Sequence, residues 1–360
     1  MRYGITNKKT EMIQKGTSIV DFWANAAISP QGVPKVWYDV LDGRFRDYPS
    51  YMRCMADGME GVLDAYTYMK QNNVTKDTWM NACKKFADWL VSVQNSDGSF
   101  YRAYNWDGTP EHTGKFNTTN PIRYLTRIYQ VTNDKRYLDC AVKAGNYCYD
   151  NIYKTSRYVG GTPDNDNVVD KEAGVMAMYA FNSLYFTTGD SKWLAPAENA
   201  AIFAASWTYF FAFAVNGDSP ANAFRNGGTD GLSFIANGHS GMDTFMAYTY
   251  FDYYRLYIAT GDKLFLDTSV FMQNNTKHST DWDGHLNYKI KGLLQESIGI
   301  ADMNYNSSSP WLPWCTIANV EPMTNMQRAF GVMTVEDAQK IPIDQLKQMM
   351  AVYGSGGNKQ

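Results

Sequence analysis

Leu256-Tyr257-Ile258-Ala259-Thr260-Gly261-Asp262 runs straight into Leu264-Phe265-Leu266. The apolar run has the spacing of a helix. It stops at a glycine, which tolerates the left-handed C-terminal cap, and the next residue is an aspartate able to cap a following helix. So short a link folds the two helices back antiparallel. The same pattern recurs in Leu184-Tyr185-Phe186-Thr187-Thr188-Gly189-Asp190 before Lys192-Trp193-Leu194. It recurs again in Leu125-Thr126-Arg127-Ile128-Tyr129-Gln130-Val131-Thr132-Asn133-Asp134 before Arg136-Tyr137-Leu138, with asparagine in the glycine's place. An internal repeat of helical hairpins decides architecture.

Extended along the chain, that template predicts twelve helical stretches, near 10–27, 51–72, 76–94, 119–131, 135–152, 169–188, 191–213, 242–260, 263–277, 286–304, 311–330 and 336–352. Trp79, Cys83, Phe86, Leu90 and Val93 recur at steps of three and four. Pro313 and Pro322 interrupt the eleventh stretch and Pro342 the twelfth. The 169–188 and 242–260 stretches are apolar or aromatic nearly all round, which calls for burial on all sides. The 76–94 and 135–152 stretches carry Lys and Asp on one face and belong outside. Inner and outer helices in alternation predict an all-α (α/α)6 toroid of about six hairpins. The long loops 28–50, 95–118, 153–168, 214–241 and 278–285 are expected on one face, where function is sought. A single domain is expected over 1–353, with a disordered tail at 354–360.

With 33 Lys+Arg and 36 Asp+Glu the net charge is −3, and no basic run marks a nucleic-acid binder. Aromatic residues make up 15% of the chain, which excludes a disordered one. No stretch of about 18 apolar residues predicts a membrane span. The opening Met1-Arg2-Tyr3-Gly4-Ile5-Thr6-Asn7-Lys8-Lys9 lacks the apolar core of a signal peptide. The chain is thus either cytoplasmic or part of a longer secreted protein, and an extracellular setting is favoured. Cys54, Cys83, Cys140, Cys148 and Cys315 are odd in number and lack CxxC spacing, so ordinary buried thiols are expected.

The Thr-Gly-Asp hairpins, with Trp89-Leu90-Val91-Ser92-Val93-Gln94-Asn95-Ser96-Asp97-Gly98-Ser99-Phe100-Tyr101, give the chain its resemblance to the (α/α)6-toroid carbohydrate-active enzymes, the six-hairpin glycosidases and toroidal polysaccharide lyases. The resemblance covers most of the chain. It implies a polysaccharide or oligosaccharide substrate held in a funnel of aromatics and carboxylates.

The loops carry that mixture. The first holds Trp37, Asp39, Asp42, Arg44, Arg46 and Tyr48, and the second Asp97, Tyr101, Tyr104, Trp106, Asp107, Glu111 and His112. Aromatic faces stack on sugar C–H surfaces while charged and amide groups bind hydroxyls. Packing of the loops is the plainer reading for any one of these residues. Asp170 and Glu172 fall in the first turn of an apolar helix, where they serve either as caps and dipole partners or as catalytic groups. The helix dipole is expected to lower their pKa. Asp164, Asp166 and Asp170 hint at a calcium loop without matching the EF-hand pattern; otherwise no metal or cofactor is expected. Further loops carry Arg225, Asn237, His239 and Asp243, then Asp281, Trp282, Asp283 and His285. No phosphate loop, Rossmann glycine pattern, Gly-x-Ser-x-Gly or HExxH occurs.

The first reading is a glycoside hydrolase with two carboxylates, Asp170 or Glu172 paired with Asp243 or Asp107. Arg44, Arg225, Tyr48, Tyr101, Tyr104 and Asn237 would bind substrate, and Trp106 and Trp282 would stack on sugar rings. The second is a polysaccharide lyase with His239 as base and Asn237 and Tyr248 as helpers. The third is a non-catalytic sugar-binding or scaffold domain of a larger protein.

Overall fold

The computed structural model describes residues 1–163, 165–215, 220–224, 228–238, 241–296, 298–299 and 313–354. The hairpin turns form as the sequence requires. Asn133, Gly189 and Gly261 all take the left-handed conformation, at φ of 58°, 70° and 74°. The following aspartates Asp134, Asp190 and Asp262 accept the backbone N–H two residues on, from Arg136, Lys192 and Leu264.

By contacts the chain divides into two units. One comprises 1–157, 163–166 and 187–189, and the other 158–162, 167–186 and 190–360. The first unit contains α1 (Arg2–Thr6), α2 (Thr10–Ala26), α3 (Met52–Gln71), α4 (Asp77–Val93), α5 (Asn120–Thr132) and α6 (Lys135–Cys148). Its loops add the two-stranded β1 (Tyr38–Asp39) and β2 (Arg44–Phe45), and an antiparallel sheet of β3 (Ser50–Tyr51), β4 (Ala103–Tyr104) and β5 (Pro110–His112). That sheet ties the first long loop to the second. Trp79, Phe86, Tyr124 and Tyr137 are fully buried, and the Tyr124 hydroxyl donates to the Cys83 carbonyl at 2.6 Å. As expected, α4 and α6 each bury one face only.

The second unit holds most of α7 (Lys171–Thr188), then α8 (Leu194–Ala205), α9 (Tyr250–Thr260), α10 (Lys263–Asn274), α11 (Pro313–Phe330), α12 (Val335–Ala338) and α13 (Ile343–Gly354). Every residue of α7 from Lys171 to Leu184 is buried, matching its apolar character all round. Three short strands, β6 (Ser233–Phe234), β7 (Gly241–Asp243) and β8 (Ile298–Gly299), form an antiparallel sheet with β7 in the centre.

Several helix boundaries differ from expectation, each for a local reason. The stretch 191–213 stops being helical at Ala205. The aromatic run Trp207-Thr208-Tyr209 suits extended chain, and its backbone bonds to Leu232 and Phe234. The stretch 242–260 begins as β7 and a 3-10 turn (Phe245–Thr249), because Gly241–Asp243 is claimed by the sheet. The helix expected at 286–304 is absent over 286–296 and 298–299. The Asp281 carboxylate accepts the N–H groups of Leu286 and Tyr288, both at 2.9 Å, and Asn287 and Gly292 take positive φ. Helix α11 runs through Pro322, whereas Pro342 falls in the break between α12 and α13. Gly354 ends α13, and 355–360 lie outside the described residues. Among the described residues no helix is long and apolar enough to cross a membrane. All five cysteines are free thiols; four are buried and Cys54 is half-buried.

Candidate active site

The second unit brings Asp170, Lys171, Glu172 and Asp243 together. Val159 bridges Val169 and Asp170 bridges Ala236, so the end of one long loop and the start of α7 are stitched to the segment before β7. Asp170 is fully buried. Its carboxylate accepts the N–H of Gly161 at 2.8 Å and of Ala173 at 2.7 Å, which makes it the cap of α7. Glycine is required at 161: a Cβ there would come 2.1 Å from the Ala173 nitrogen. Burial pushes the Asp170 carboxyl up to about 6, and the charge of Glu172 adds to that, while the capping N–H groups oppose it. The lowering expected from the helix dipole is therefore overridden by desolvation.

Lys171 has 0% exposure. Its ammonium donates to the Phe234 carbonyl at 2.8 Å and to Asp243 Oδ1 at 2.6 Å. Asp243 ends β7 opposite Ser233 in the sheet register. Its Oδ1 also accepts the Ser233 hydroxyl at 3.1 Å and the Phe245 N–H at 3.0 Å. Among the described residues Oδ2 has no hydrogen-bond partner. Burial raises the Asp243 carboxyl, Lys171 pulls it down, and the charge of Glu172 pushes it up. Phe245 lies 5.1 Å from Tyr248 and 5.9 Å from Trp314, ring to ring. The Tyr248 hydroxyl donates to the Trp314 carbonyl at 3.0 Å, and the Trp314 indole N–H donates to Glu296 at 3.0 Å.

The other expected site residues fall elsewhere. Asp107 is an exposed turn residue of the first unit, and its carboxylate accepts the Thr109 hydroxyl and N–H, which hold its pKa down. Arg44 is exposed and faces Asp42 at 3.5 Å. Tyr48 sits between Trp37 and Tyr51, at 5.2 and 5.6 Å between centroids. Tyr104 is 1% exposed and edge-on to Trp89; its hydroxyl accepts the Tyr101 N–H, and burial pushes it up to about 12. Its ring packs the loop and offers no open face for a sugar. Tyr101 is half-buried, and Trp106 lies under the Lys35 ammonium at 4.9 Å. In the second unit Asn237 is exposed, with its N–H donating to the Val169 carbonyl. Trp282 is 58% exposed. Arg225, His239 and Asp164 lie outside the described residues.

The sequence reading gave no role to Lys171, Ser233, Glu296 or Trp314. The signal for Lys171 was present: a lysine between two acids at the mouth of an otherwise apolar helix. Ser233 and Trp314 carried no comparable signal, because strand register and the entry of α11 bring them in. For a cation, Asp281, Asp283 and His285 place one donor atom each within 4.8 Å of one another. These groups are already partnered inside their loop, Asp281 by backbone N–H groups and Asp283 by the His285 ring at 2.7 Å. Asp170 is likewise committed to backbone N–H groups, and Asp166 is exposed.

No protein-family model matches the chain, and no curated protein does. Solved structures do. A D-mannose isomerase is 13% identical over 94% of this chain and 86% of its own, with a TM-score of 0.59. A cellobiose 2-epimerase from Bacillus thermoamylovorans is 12% identical over 91% of this chain and 82% of its own, also at 0.59. A sugar epimerase from a ruminal bacterium is 14% identical over 94% and 96%, at 0.55. At such identities the likeness concerns the fold: this chain has the all-α (α/α)6 toroid fold that those enzymes share.

Proposed function

We propose that the chain is a sugar-processing enzyme that hydrolyses glycosidic bonds, with Asp243 and Glu172 as its reacting carboxylates. The carrying observation is the asymmetry of Asp243. Three donors converge on Oδ1, and Oδ2 is left without a described partner. A carboxylate held by one oxygen is oriented, and in this buried side chain, 4% exposed, Oδ2 is the oxygen left to accept a hydrogen bond. Glu172 lies within electrostatic reach of Asp243 and supplies the second acid that glycoside hydrolysis requires. The half-buried rings of Tyr248 and Trp314, which pack around the buried Phe245 ring next to Lys171, suit sugar C–H faces.

A second reading is proton transfer at a sugar carbon, by isomerisation, epimerisation or elimination. It is favoured by the activities of the structures sharing the fold, an isomerase and two epimerases. One experiment separates the readings: incubation with oligosaccharides in D2O followed by NMR. Hydrolysis releases new reducing ends without carbon-bound deuterium. Isomerisation or epimerisation places deuterium beside the carbonyl carbon, and elimination gives an unsaturated, ultraviolet-absorbing product. Glu172→Gln is expected to lower turnover by a factor of about 10²–10⁴ with the fold intact. Asp243→Asn is expected to do the same, although it also leaves Lys171 buried beside a neutral amide. Wild-type turnover in both variants overturns the assignment.

A further inference from the structure

The first residue of α7 and the last of β7 meet in the interior of the second unit. Lys171 is 0% exposed and Asp243 4%. The Lys171 ammonium reaches Asp243 Oδ1 at 2.6 Å and the Phe234 carbonyl at 2.8 Å, and it lies 5.8 Å from the centre of the Phe245 ring. The Ser233 hydroxyl and the Phe245 N–H donate to that same Oδ1. An oxygen on which an ammonium, a hydroxyl and an amide all converge has the partners of an anion. A protonated Asp243 would leave the ammonium buried without a counter-charge, which is strongly unfavourable.

The charges around Asp243 pull in both directions. Burial raises its carboxyl, the charge and hydrogen bond of Lys171 oppose that, Glu172 pushes it up again and the Phe245 N–H lowers it. Cys315 of α11 and Tyr248 are further titratable groups there. Burial pushes the Cys315 thiol up to about 12, and the charges of Glu296 and Asp243 add to that. Tyr248 packs on Phe245. Hydrolysis of a glycosidic bond asks one carboxyl group to take a proton and another to give one. With Asp243 held as the anion, the giving role falls to Glu172.

We propose that Lys171 is the positioning residue of the site: it holds Asp243 as the anion and occupies Oδ1, so that Asp243 takes the proton through Oδ2 and Glu172 donates one. The choice of the two carboxyl groups rests on the proposed function. A water gives its proton to Asp243 Oδ2 as its oxygen bonds to the anomeric carbon. The bond from that carbon to the glycosidic oxygen breaks, and the leaving oxygen keeps the electron pair and takes the Glu172 proton. Lys171 acts through Asp243 alone.

Two experiments test this. In protein labelled with carbon-13 at the aspartate carboxyls, the Asp243 resonance is assigned by its loss in Asp243→Asn. Wild type is expected to show it ionised at neutral pH. In Lys171→Met its titration midpoint is expected to rise, with about tenfold more of the protonated form at a given pH. Lys171→Arg keeps the cation and is expected to leave the midpoint in place. A protonated Asp243 in wild type at neutral pH overturns the proposal whether or not Lys171→Met folds, and so does a midpoint that Lys171→Met does not move.

The second experiment compares leaving groups: para-nitrophenyl β-glucoside against cellobiose, and para-nitrophenyl α-mannoside against mannobiose. Nitrophenolate departs without a proton. Glu172→Gln is therefore expected to lose at least about tenfold less kcat/KM on the aryl glycoside than on the disaccharide, and Asp243→Asn to lose equally on both. Equal losses in Glu172→Gln, or the reverse pattern, overturn the division of roles. An ionised, Lys171-dependent Asp243 in a protein that cleaves none of these glycosides would sink the hydrolase reading and leave the Lys171 assignment standing.

Discussion

Lys171 Nζ stands 2.6 Å from Asp243 Oδ1, and the two side chains are 0% and 4% exposed. The lysine also occupies the first turn of a helix, where the dipole disfavours a cation. Burial and dipole both work against the charge, and the Asp243 carboxylate offsets them. Breaking such a pair leaves an isolated buried charge. Lys171→Met is therefore expected to lose about 3–5 kcal/mol in urea unfolding, and Lys171→Met/Asp243→Leu to recover part of it. The pH dependence follows from sign. Lys171 lowers the Asp243 carboxyl, whereas Glu172 raises it, and Cys315 and Glu296 are the other titratable groups nearby. Without Lys171 the folded-state pKa climbs further, and an acid raised on folding loses stability as pH rises. The deficit of Lys171→Met relative to wild type should therefore grow from acid toward neutral pH. A deficit independent of pH would contradict the ion-pair account.

Asp170 makes a second pH signature. Burial holds its carboxyl up at about 6, against an ordinary 3.8. Because the folded value is the higher, the contribution to stability is complete below about 4 and is lost as pH rises through about 6. The full swing is at most about 3 kcal/mol. Asp170→Asn keeps an acceptor for the Ala173 N–H and removes the titration. Wild type minus variant, measured by urea unfolding at several pH values, should fall across that window. A flat difference would mean that Asp170 is as ionised in the folded chain as in the unfolded one.

Gly161 is fixed by the same cap. A Cβ would meet the Ala173 nitrogen at 2.1 Å and Asp170 Oδ1 at 2.5 Å. Backbone at the start of α7 cannot withdraw without breaking the Asp170 hydrogen bonds. Gly161→Ala is expected to cost more than about 2 kcal/mol and to lower the thermal midpoint by several degrees. Gly58→Ala is the control, since a Cβ there meets nothing within 4 Å.

What the sequence made legible was local and periodic. The Asn133, Gly189 and Gly261 turns and their aspartate caps are written in adjacent residues, so the hairpins could be read directly. Asp170 was legible as a cap for the same reason. The Lys171–Asp243 pair spans 72 residues and depends on a strand of three residues, Gly241–Asp243, whose apolar neighbours read as helix. The missing helix at 286–296 depends on the buried Asp281 carboxylate binding backbone five and seven residues on. Pairings of this kind are decided by tertiary contact, and neither hydrophobic period nor propensity records them.

The hairpin turn itself is open to measurement. At the junction of α9 and α10, Gly261 has φ 74° and donates its N–H to the Tyr257 carbonyl, while Asp262 caps Leu264. A Cβ at Gly261 meets nothing within 4 Å, so Gly261→Ala isolates the cost of the left-handed backbone, about 1 kcal/mol. Asp262→Ala isolates the cap, also about 1 kcal/mol. Asp262→Asn retains the acceptor and should lose only a small part of that. Asp134 differs, because its carboxylate binds the Arg136 guanidinium as well as the Arg136 N–H. That pair is exposed and contributes little in water, so Asp134→Ala should cost about the same as Asp262→Ala and should change little with added salt. A markedly larger, salt-sensitive loss at Asp134 would show that the ion pair, and not the cap, holds the first of the repeated turns.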